Sequence, residues 1–332
     1  MRTQALRPGR WSRAFACVGS VVTVLSALTG TAAARTGHAV APVGVLRWSP
    51  PQRIDPGAGF AAVSCPSAGF CMVVDELGDA MSWHGNHWSA PLVVDPHQGP
   101  LHAVSCPTAH SCAAVDQFGR VLWWNGRSWS KPVLLDSQGL QDISCPSTRF
   151  CAAADFAGRA LTWNGARWSA PVTLEPGGQG FSTLTCPSPR ACAAMTTDGF
   201  FASWDSKRWS KPVDENSGGA SVSALFDCLS ATFCVISFSN GDVLVERGRG
   251  SPRPVLVDRS GTGFSALSCP TKSFCMGVDR HGSSFSWNGT SWSGPLEADP
   301  SPGPLGLTSV SCPTSTLCVA VDANGAALVA RP

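Results

Sequence analysis

Short segments in which apolar and polar residues alternate recur along the chain, each followed by a continuous apolar segment. In the first such unit, the segment Ala61–Cys65 alternates and ends in Ser-Cys-Pro, and Cys71-Met72-Val73-Val74 is apolar throughout. A third segment ends at Trp83, and a fourth begins at Trp88-Ser89-Ala90-Pro91. Period-two alternation and short apolar runs bounded by turn residues are typical of β-strands. The unit is therefore predicted to contain four strands, named a to d in chain order, with a five-residue connection between a and b.

The four-strand unit occurs seven times at a nearly constant spacing. The first cysteines of successive units are 41, 39, 41, 42, 41 and 43 residues apart. A period near forty residues with four strands per unit is typical of β-propeller blades. The fold class is predicted to be all-β, a seven-bladed β-propeller whose blades are four-stranded antiparallel sheets.

Turn residues recur at fixed places in the unit. Asn-Gly, the strongest signal for a tight β-hairpin, occurs between strands c and d at Asn125, Asn164 and Asn288. A glycine follows the second cysteine by seven residues in every unit, at Gly78, Gly119, Gly158, Gly199, Gly241, Gly282 and Gly325. A proline recurs in strand d. Because proline cannot donate a hydrogen bond to a sheet, strand d is predicted to be an edge strand. The prolines are Pro51, Pro91, Pro132, Pro171, Pro212, Pro254 and Pro295.

The seventh unit shows how the ring closes. No d segment follows its strand c at Leu328-Val329-Ala330, whereas Arg47-Trp48-Ser49-Pro50-Pro51, followed by Asp55, has the d pattern ahead of the first unit. The N-terminal strand is therefore predicted to complete the last blade, which leaves no blade edge open.

The N-terminus has the pattern of an export signal. Four arginines precede an apolar stretch from Ala14 to Leu28, and small residues follow up to Ala32-Ala33-Ala34. We predict a signal peptide over 1–34, a short linker over 35–42 and the propeller over 43–332. No later segment is long and apolar enough to cross a membrane, so a secreted, extracytoplasmic protein is expected.

The spacing of the cysteines is also typical of an exported protein. Apart from Cys17, all of them form C-x5-C pairs, one per unit, and isolated identical pairs in an exported chain indicate disulfides rather than zinc sites. The predicted disulfides join Cys65 to Cys71, Cys106 to Cys112, Cys145 to Cys151, Cys186 to Cys192, Cys228 to Cys234, Cys269 to Cys275 and Cys312 to Cys318.

The unit resembles the blades of secreted bacterial β-propellers, which carry CPS-x3-C, A-V-D-x-x-G and W-N-G-x-x-W-S. The segment Ser286–Trp292 also resembles the Asp-box turn of sialidase-type propellers, one residue shorter, and propeller lectins have similar Trp-rich hairpins. The resemblance covers Val43–Pro332 and implies a fold rather than a function, because propellers include enzymes, lectins and scaffolds. The main hypothesis is a non-catalytic binding or scaffold protein. A lectin-like propeller and a secreted glycan-cleaving hydrolase are the alternatives.

The amino-acid composition limits which classes of partner and which catalytic groups are expected. Charged residues make up 14% of the chain and the net charge is +2, which gives no reason to expect nucleic acid as a partner. The absence of tyrosine excludes a sialidase-type nucleophile. We predict a monomer that binds an envelope glycan or an extracellular protein, with no catalytic residue, cofactor or metal site.

Three recurring side-chain sets have a chemical and a structural interpretation. An aspartate four residues after the second cysteine, as at Asp75, could bind calcium, but a cap on its own b–c turn is favoured. The paired tryptophans, such as Trp83/Trp88, could stack on sugars, but packing between blades is favoured. His84, His87 and His110 could converge on a metal, which their spacing supports only weakly.

Topology places the a–b and c–d turns on one face of the disc and the b–c and d–a loops on the other. The first face is expected to be basic and the second acidic. The fifth unit departs most from the repeat, and such departures are candidate functional sites. The candidate ligand contacts are therefore Arg127, Arg149, Arg167, Arg190, Arg208, Phe238, Glu246, Arg247 and Arg249.

Overall fold

A computed structural model of the chain describes residues 46–97, 99–174, 177, 180–214, 224–248 and 253–332. The predicted signal peptide and linker lie outside this part. Every regular element among the described residues is a β-strand, and no helix there could cross a membrane.

The strands are short and follow one another in chain order. They are β1 Arg47–Trp48, β2 Gln52–Arg53, β3 Phe60–Ser67, β4 Phe70–Asp75, β5 Asp79–Trp83, β6 Leu92–Val93, β7 Leu101–Thr108, β8 Ser111–Asp116, β9 Arg120–Trp124, β10 Val133–Leu134, β11 Leu140–Ser147, β12 Phe150–Asp155, β13 Arg159–Trp163, β14 Val172–Thr173, β15 Phe181–Ser188, β16 Ala191–Thr196, β17 Phe200–Trp204, β18 Val213–Asp214, β19 Ala224–Ser230, β20 Phe233–Phe238, β21 Asp242–Glu246, β22 Val255–Leu256, β23 Ala266–Thr271, β24 Phe274–Val278, β25 Ser283–Trp287, β26 Leu296–Glu297, β27 Leu307–Thr314, β28 Leu317–Asp322 and β29 Ala326–Arg331.

These strands form seven separate antiparallel sheets. Blade one is β3 to β6, and each following group of four strands makes the next blade up to β26, with strands a, b, c and d adjacent in that order. The seventh blade contains β27, β28 and β29. The predicted seven-bladed propeller of four-stranded antiparallel blades is confirmed.

The N-terminal strand completes the last blade, as predicted. Trp48 pairs with Ala330 and Gln52 pairs with Ala327, so both β1 and β2 lie along β29. Gly325 makes the turn beside this seam, with a φ of 78°, and its carbonyl accepts the amides of Ile54 and Asp55. A Cβ at Gly325 would lie 1.6 Å from the Asp55 carbonyl oxygen, so only glycine fits.

The a–b hairpin differs from the predicted five-residue connection. Strand a continues through the first cysteine to Ser67, which pairs with Phe70 across a two-residue turn. A register shift between Ser64 and Ser67 accommodates the extra residue as a bulge at Cys65-Pro66. Proline suits this position because it has no backbone N–H to donate to the neighbouring strand. Both cysteines of a pair therefore lie in one hairpin.

The second cysteine of each pair was predicted to begin strand b, and this is wrong by one residue. Strand b begins at the residue before it, because that residue already pairs with the end of strand a, as Phe70 does with Ser67. The cysteine is consequently the second residue of strand b in every blade, and it is buried, with at most 3% of its surface exposed. These cysteines are Cys71, Cys112, Cys151, Cys192, Cys234, Cys275 and Cys318.

All seven predicted disulfides form, each within its own blade. The two Cα atoms of a pair are 4.0 to 4.1 Å apart, because the partners face each other across strands a and b. The bonds join Cys65 to Cys71, Cys106 to Cys112, Cys145 to Cys151, Cys186 to Cys192, Cys228 to Cys234, Cys269 to Cys275 and Cys312 to Cys318. The cross-links therefore fix the hairpins and leave the contacts between blades to noncovalent packing.

Strand d is shorter than predicted. The recurring proline precedes a two-residue strand, as Pro91 precedes β6, and Trp88 contributes only an isolated bridge to Trp83. The serine after that tryptophan extends the pairing, because the Ser89 hydroxyl accepts the Ser82 amide at 3.0 Å while the Ser89 amide donates to the Ser82 carbonyl.

Neighbouring blades are joined by apolar packing and by a ring of hydroxyl contacts. Strand b is buried along its whole length in blade one, and the apolar clusters span adjacent blades. The serine before the first cysteine accepts the cysteine amide of the next blade, as Ser64 does from Cys106 at 3.0 Å. Ser105, Ser144, Ser268 and Ser311 repeat this contact, the last of them across the closure to Cys65.

Asp227 takes the place of this serine in blade five. Its Oδ2 accepts the Cys269 amide at 2.7 Å, and Thr185 of blade four donates to its Oδ1. Asp142 makes a related contact between blades three and four, where it accepts the Leu184 amide at 3.0 Å. Burial raises the pKa of both carboxyls to about 6, because its effect is larger than that of the backbone hydrogen bonds, which lower the pKa.

Candidate functional site

The a–b turns and the c–d turns share one side of the disc, here called the hairpin face. Tryptophans at the end of strand c bind the two sets of turns together. The indole nitrogen of Trp124 donates to the Ala109 carbonyl at 3.1 Å, and that of Trp287 donates to the Lys272 carbonyl at 3.2 Å. The predicted arrangement of loops is therefore present.

The hairpin face is basic over blades two to four. Its six turns there are all described, and they contain six cationic residues against one carboxylate, Asp205. The cationic residues are Arg127, Arg149, Arg167, Arg190, Lys207 and Arg208, and all are exposed. Among the described residues, the single ion pair in this set joins Arg208 to Asp205 at 3.9 Å. These arginines are consequently available to an anionic partner.

Blade five places its candidate residues differently. Phe238 packs in the core between blades four and five at 4% exposure, and Glu246 is buried at 5% exposure, so neither offers a surface to a ligand. Burial raises the pKa of Glu246. Arg249 lies outside the described residues. Arg247 is exposed at the end of strand c and remains a candidate.

An open groove of about 1160 Å³ separates blades five and six. Its apolar lining comes from strands c and d of blade five and the tryptophan hairpin of blade six, and arginines from blade five surround it. The apolar residues include Val243, Val245, Val255, Leu256, Val257, Trp287 and Trp292, and the arginines are Arg247, Arg253 and Arg259. Val255 and Leu256 are 60% and 55% exposed, which leaves apolar surface open to a ligand.

Arg247 links this groove to the hairpin face. It also lines a cavity of about 380 Å³ formed by turn residues such as Thr232, Lys272 and Ser273. Its guanidinium lies 5.2 Å from the Trp287 ring centroid and donates to the Gly289 carbonyl at 2.6 Å. Arg331 of blade seven makes the equivalent bond to Gly85, so the contact helps to hold neighbouring blades together. Neither Arg247 nor the other two groove arginines forms an ion pair with another described residue.

Each of the paired tryptophans is buried or half-buried and packs against its partner. Ring centroids within a pair lie 5.4 to 5.9 Å apart, and Trp83, Trp209 and Trp287 are 5–7% exposed. Each pair faces the preceding blade, as Trp83 and Trp88 face strands of blade seven. The packing interpretation is confirmed.

The recurring aspartates cap their turns. Asp75 Oδ1 accepts the amides of Leu77 and Asp79 at 2.9 and 2.8 Å. The same pair of bonds forms at Asp116, Asp155, Asp279 and Asp322. The capping interpretation is confirmed.

The opposite face is not the exposed acidic surface expected. The aspartates after strand d, among them Asp55, Asp95 and Asp136, also bind backbone amides, and both sets of aspartates are at most 8% exposed. Their carboxylates are enclosed because each satisfies loop amides that would otherwise lack partners.

One group of three carboxylates among the described residues is close enough to hold a metal ion, and it consists of Asp55, Asp75 and Asp79. Burial raises the pKa of Asp75 to about 6, and the neighbouring carboxylates of Asp79 and Asp55 add to the effect. His84, His87 and His110 do not form such a group. His84 instead packs against Phe70 and His87, with ring centroids 5.7 and 5.8 Å apart.

Solved structures share this architecture. The chain is similar to YCF48 from Cyanidioschyzon merolae at 14% identity and a TM-score of 0.66, covering 86% of this chain and 99% of that one. It is similar to YCF48 bound to D1 peptide at 16% identity and a TM-score of 0.69, covering 86% and 97%. It is also similar to the WD40 β-propeller domain of Doa1 at 12% identity and a TM-score of 0.70, covering 86% and 96%. No protein-family model and no curated protein matches the sequence. At these identities the likeness establishes the seven-bladed propeller fold and nothing further about this chain.

Proposed function

We propose that the protein is an exported, non-catalytic binding or scaffold propeller that holds a segment of another protein in the groove between blades five and six. The observation that carries this proposal is the combination of exposed apolar side chains, Val255 and Leu256, with three arginines that have no carboxylate partner among the described residues. Such a surface complements an extended peptide bearing apolar and acidic side chains.

The size and chemistry of the groove support a peptide rather than a small metabolite. Its volume of about 1160 Å³ is at the upper end of small-molecule pockets, and it is open along one side. The capping aspartates are at most 1% exposed, so they do not present carboxylates to a ligand at the surface. The structure of YCF48 bound to D1 peptide adds that a propeller of this shape can bind a peptide.

Export is part of the proposal. Seven disulfides within the blades suit an oxidising compartment outside the cytoplasm, where such bonds persist. The basic N-terminal region followed by an apolar stretch supports the same inference.

A library of 12-residue peptides displayed on beads tests the groove. The purified protein should enrich peptides that combine aspartate or glutamate with large apolar residues. Binding measured by fluorescence anisotropy should weaken at least tenfold for Leu256→Ser and for Arg253→Glu, and it should weaken further as salt is raised.

Arg149→Glu is the matched control, because Arg149 is an exposed arginine of the hairpin face that does not line the groove. Its affinity should stay within about twofold of the wild type. No enrichment, or binding of peptides or anionic glycans that Leu256→Ser and Arg253→Glu leave unchanged, would refute the groove as the binding site.

A further inference from the structure

Three positions recur where one blade meets the next on the face opposite the hairpin face. The first is the aspartate after strand d of one blade, called the loop aspartate. The second is the capping aspartate of the next blade, called the turn aspartate. The third is the residue four positions after the turn aspartate, called the fourth residue. At the junction of blades one and two these are Asp95, Asp116 and Arg120.

An arginine fills the space between the two aspartates at two junctions. Arg120 Nε donates to Asp116 Oδ2 at 2.5 Å, and its Nη2 donates to Asp95 Oδ2 at 2.6 Å. Arg159 repeats the arrangement between Asp155 and Asp136, at 2.6 and 2.5 Å. Because the turn aspartate uses Oδ1 for the backbone, the guanidinium binds the oxygen that the cap leaves over.

At the junction of blades seven and one, no described residue supplies such a cation. Its loop aspartate is Asp55, its turn aspartate is Asp75, and its fourth residue is Asp79, a third carboxylate where blades two and three have Arg120 and Arg159. One oxygen from each of the three side chains lies within 4.8 Å of the others. The scaffold is the same, but the charge at its centre is reversed.

Two oxygens at this junction have no hydrogen-bond partner among the residues that the structure describes. Asp75 Oδ1 caps its turn, whereas Asp75 Oδ2 is buried without a hydrogen bond, and so is Asp79 Oδ1. The whole Asp75 residue has no exposed surface. Asp75 Oδ2 is the atom that corresponds to the arginine-bound oxygen of Asp116. Leaving a buried carboxylate oxygen unpaired is costly, so a ligand of positive charge is expected here.

We propose that Asp55, Asp75 and Asp79 bind a calcium ion, which takes the place that Arg120 and Arg159 occupy at the sister junctions. Carboxylate oxygens are hard ligands that suit calcium, magnesium or manganese. Oxygens that bind one calcium ion at about 2.3–2.6 Å lie at most about 5 Å apart, which the trio satisfies. Calcium is favoured over magnesium because it tolerates irregular coordination and buried carboxylates with few waters.

The position of the site gives the ion a role in closing the ring. Asp55 directly follows the N-terminal closing strands, and its amide donates to the Gly325 carbonyl of blade seven. Asp75 and Asp79 belong to blade one. A bound ion would therefore fix the segment that leads from the closing strands to blade one, and it would stabilise the closed ring by its binding free energy.

Thermal unfolding of the purified protein with 2 mM CaCl₂, with 2 mM MgCl₂ or with EGTA tests the proposal. The wild type should unfold several degrees higher in calcium than in EGTA, with a smaller shift in magnesium. Asp79→Asn should lose most of the calcium shift. Its turn should persist, because the Asp75 carboxylate caps the turn by accepting the backbone amide of Asp79, and the Asp79 side chain takes no part in that bond.

Asp79→Arg copies blades two and three and gives the sharpest result. It should show no calcium shift, and in EGTA it should unfold at or above the temperature of the wild type. Asp242→Asn is the matched control, because Asp242 starts strand c of blade five as Asp79 does in blade one, but there Phe238 replaces the turn aspartate. It should keep the full calcium shift. A wild type indifferent to calcium, or a shift retained by both Asp79 variants, would overturn the proposal.

Discussion

The junction of blades one and two and the junction of blades seven and one share a backbone but differ in charge. Both have a buried loop aspartate and a buried turn aspartate with the same amide contacts. In the first, Arg120 neutralises the pair, whereas in the second Asp79 adds to it. The turn geometry therefore does not depend on the ion pair. It provides a constant frame in which the fourth residue sets the local charge, positive with Arg120 and negative with Asp79.

Breaking the arginine junction should have the largest effect. Arg120→Ala leaves Asp95 and Asp116 buried without their cation, and removing one partner of a buried pair costs about 3–5 kcal/mol. Urea denaturation should show this loss in the free energy of unfolding. Arg127→Ala removes an exposed arginine that has no ion pair among the described residues and should cost less than about 0.5 kcal/mol. Equal losses for both variants would refute the inference that Arg120 neutralises a buried pair of aspartates.

A buried carboxylate elsewhere shows what an unneutralised charge does to stability. The pKa of Asp227 is raised from 3.8 to about 6, so the folded state holds its proton more tightly than the unfolded chain does. Its stabilising contribution is complete below about pH 4 and is lost as pH rises through about 6. Asp227→Ser installs the residue used at five other junctions. It should reduce the decline in stability between pH 4 and pH 7 by on the order of 2 kcal/mol.

The measurement is the unfolding free energy of both proteins in EGTA across that pH range. The curves should converge or cross as pH rises, because the wild type loses stability that the variant never had. Parallel curves would show that Asp227 does not titrate differently in the folded state.

The smallest expected effect is the difference in stability between a variant that lacks the blade-one disulfide and one that lacks the blade-two disulfide. It tests whether the cross-links, rather than the charges, distinguish the two junctions. Replacing Cys65 and Cys71 with serine, or Cys106 and Cys112, opens a short loop whose closure contributes about 2 kcal/mol at most. The two double variants should lose stability to within about 0.5 kcal/mol of each other by urea denaturation. A markedly larger loss in blade one would mean that its disulfide, rather than the charge at its edge, supports the closure.

The sequence predicted most of what recurs in one unit, although the bulge at Cys65-Pro66 and the short strand d were not predicted. The cysteine period predicted seven blades, the displaced d pattern around Trp48 predicted the closure, and the spacing of Asp75 predicted its cap. Contacts between blades were harder to predict, because Asp55 and Asp75 or Ser64 and Cys106 meet only after adjacent blades pack. The serine contacts had a signal, because serine precedes five of the seven first cysteines, but the partner of each serine lies in the next blade, 42 residues away in the sequence for Ser64. Phe238 shows a different error. It was predicted to contact a ligand because it departs from the repeat, but its side chain packs in the core between blades four and five.

Crystallography of the calcium-soaked protein, with anomalous data collected at long wavelength, tests the calcium site most directly. We expect one anomalous peak between the carboxylates of Asp55, Asp75 and Asp79, and none between Asp95 and Asp116, where Arg120 lies. A difference map with no ion among the three aspartates at millimolar calcium, or with a water molecule there instead, would contradict the proposed site.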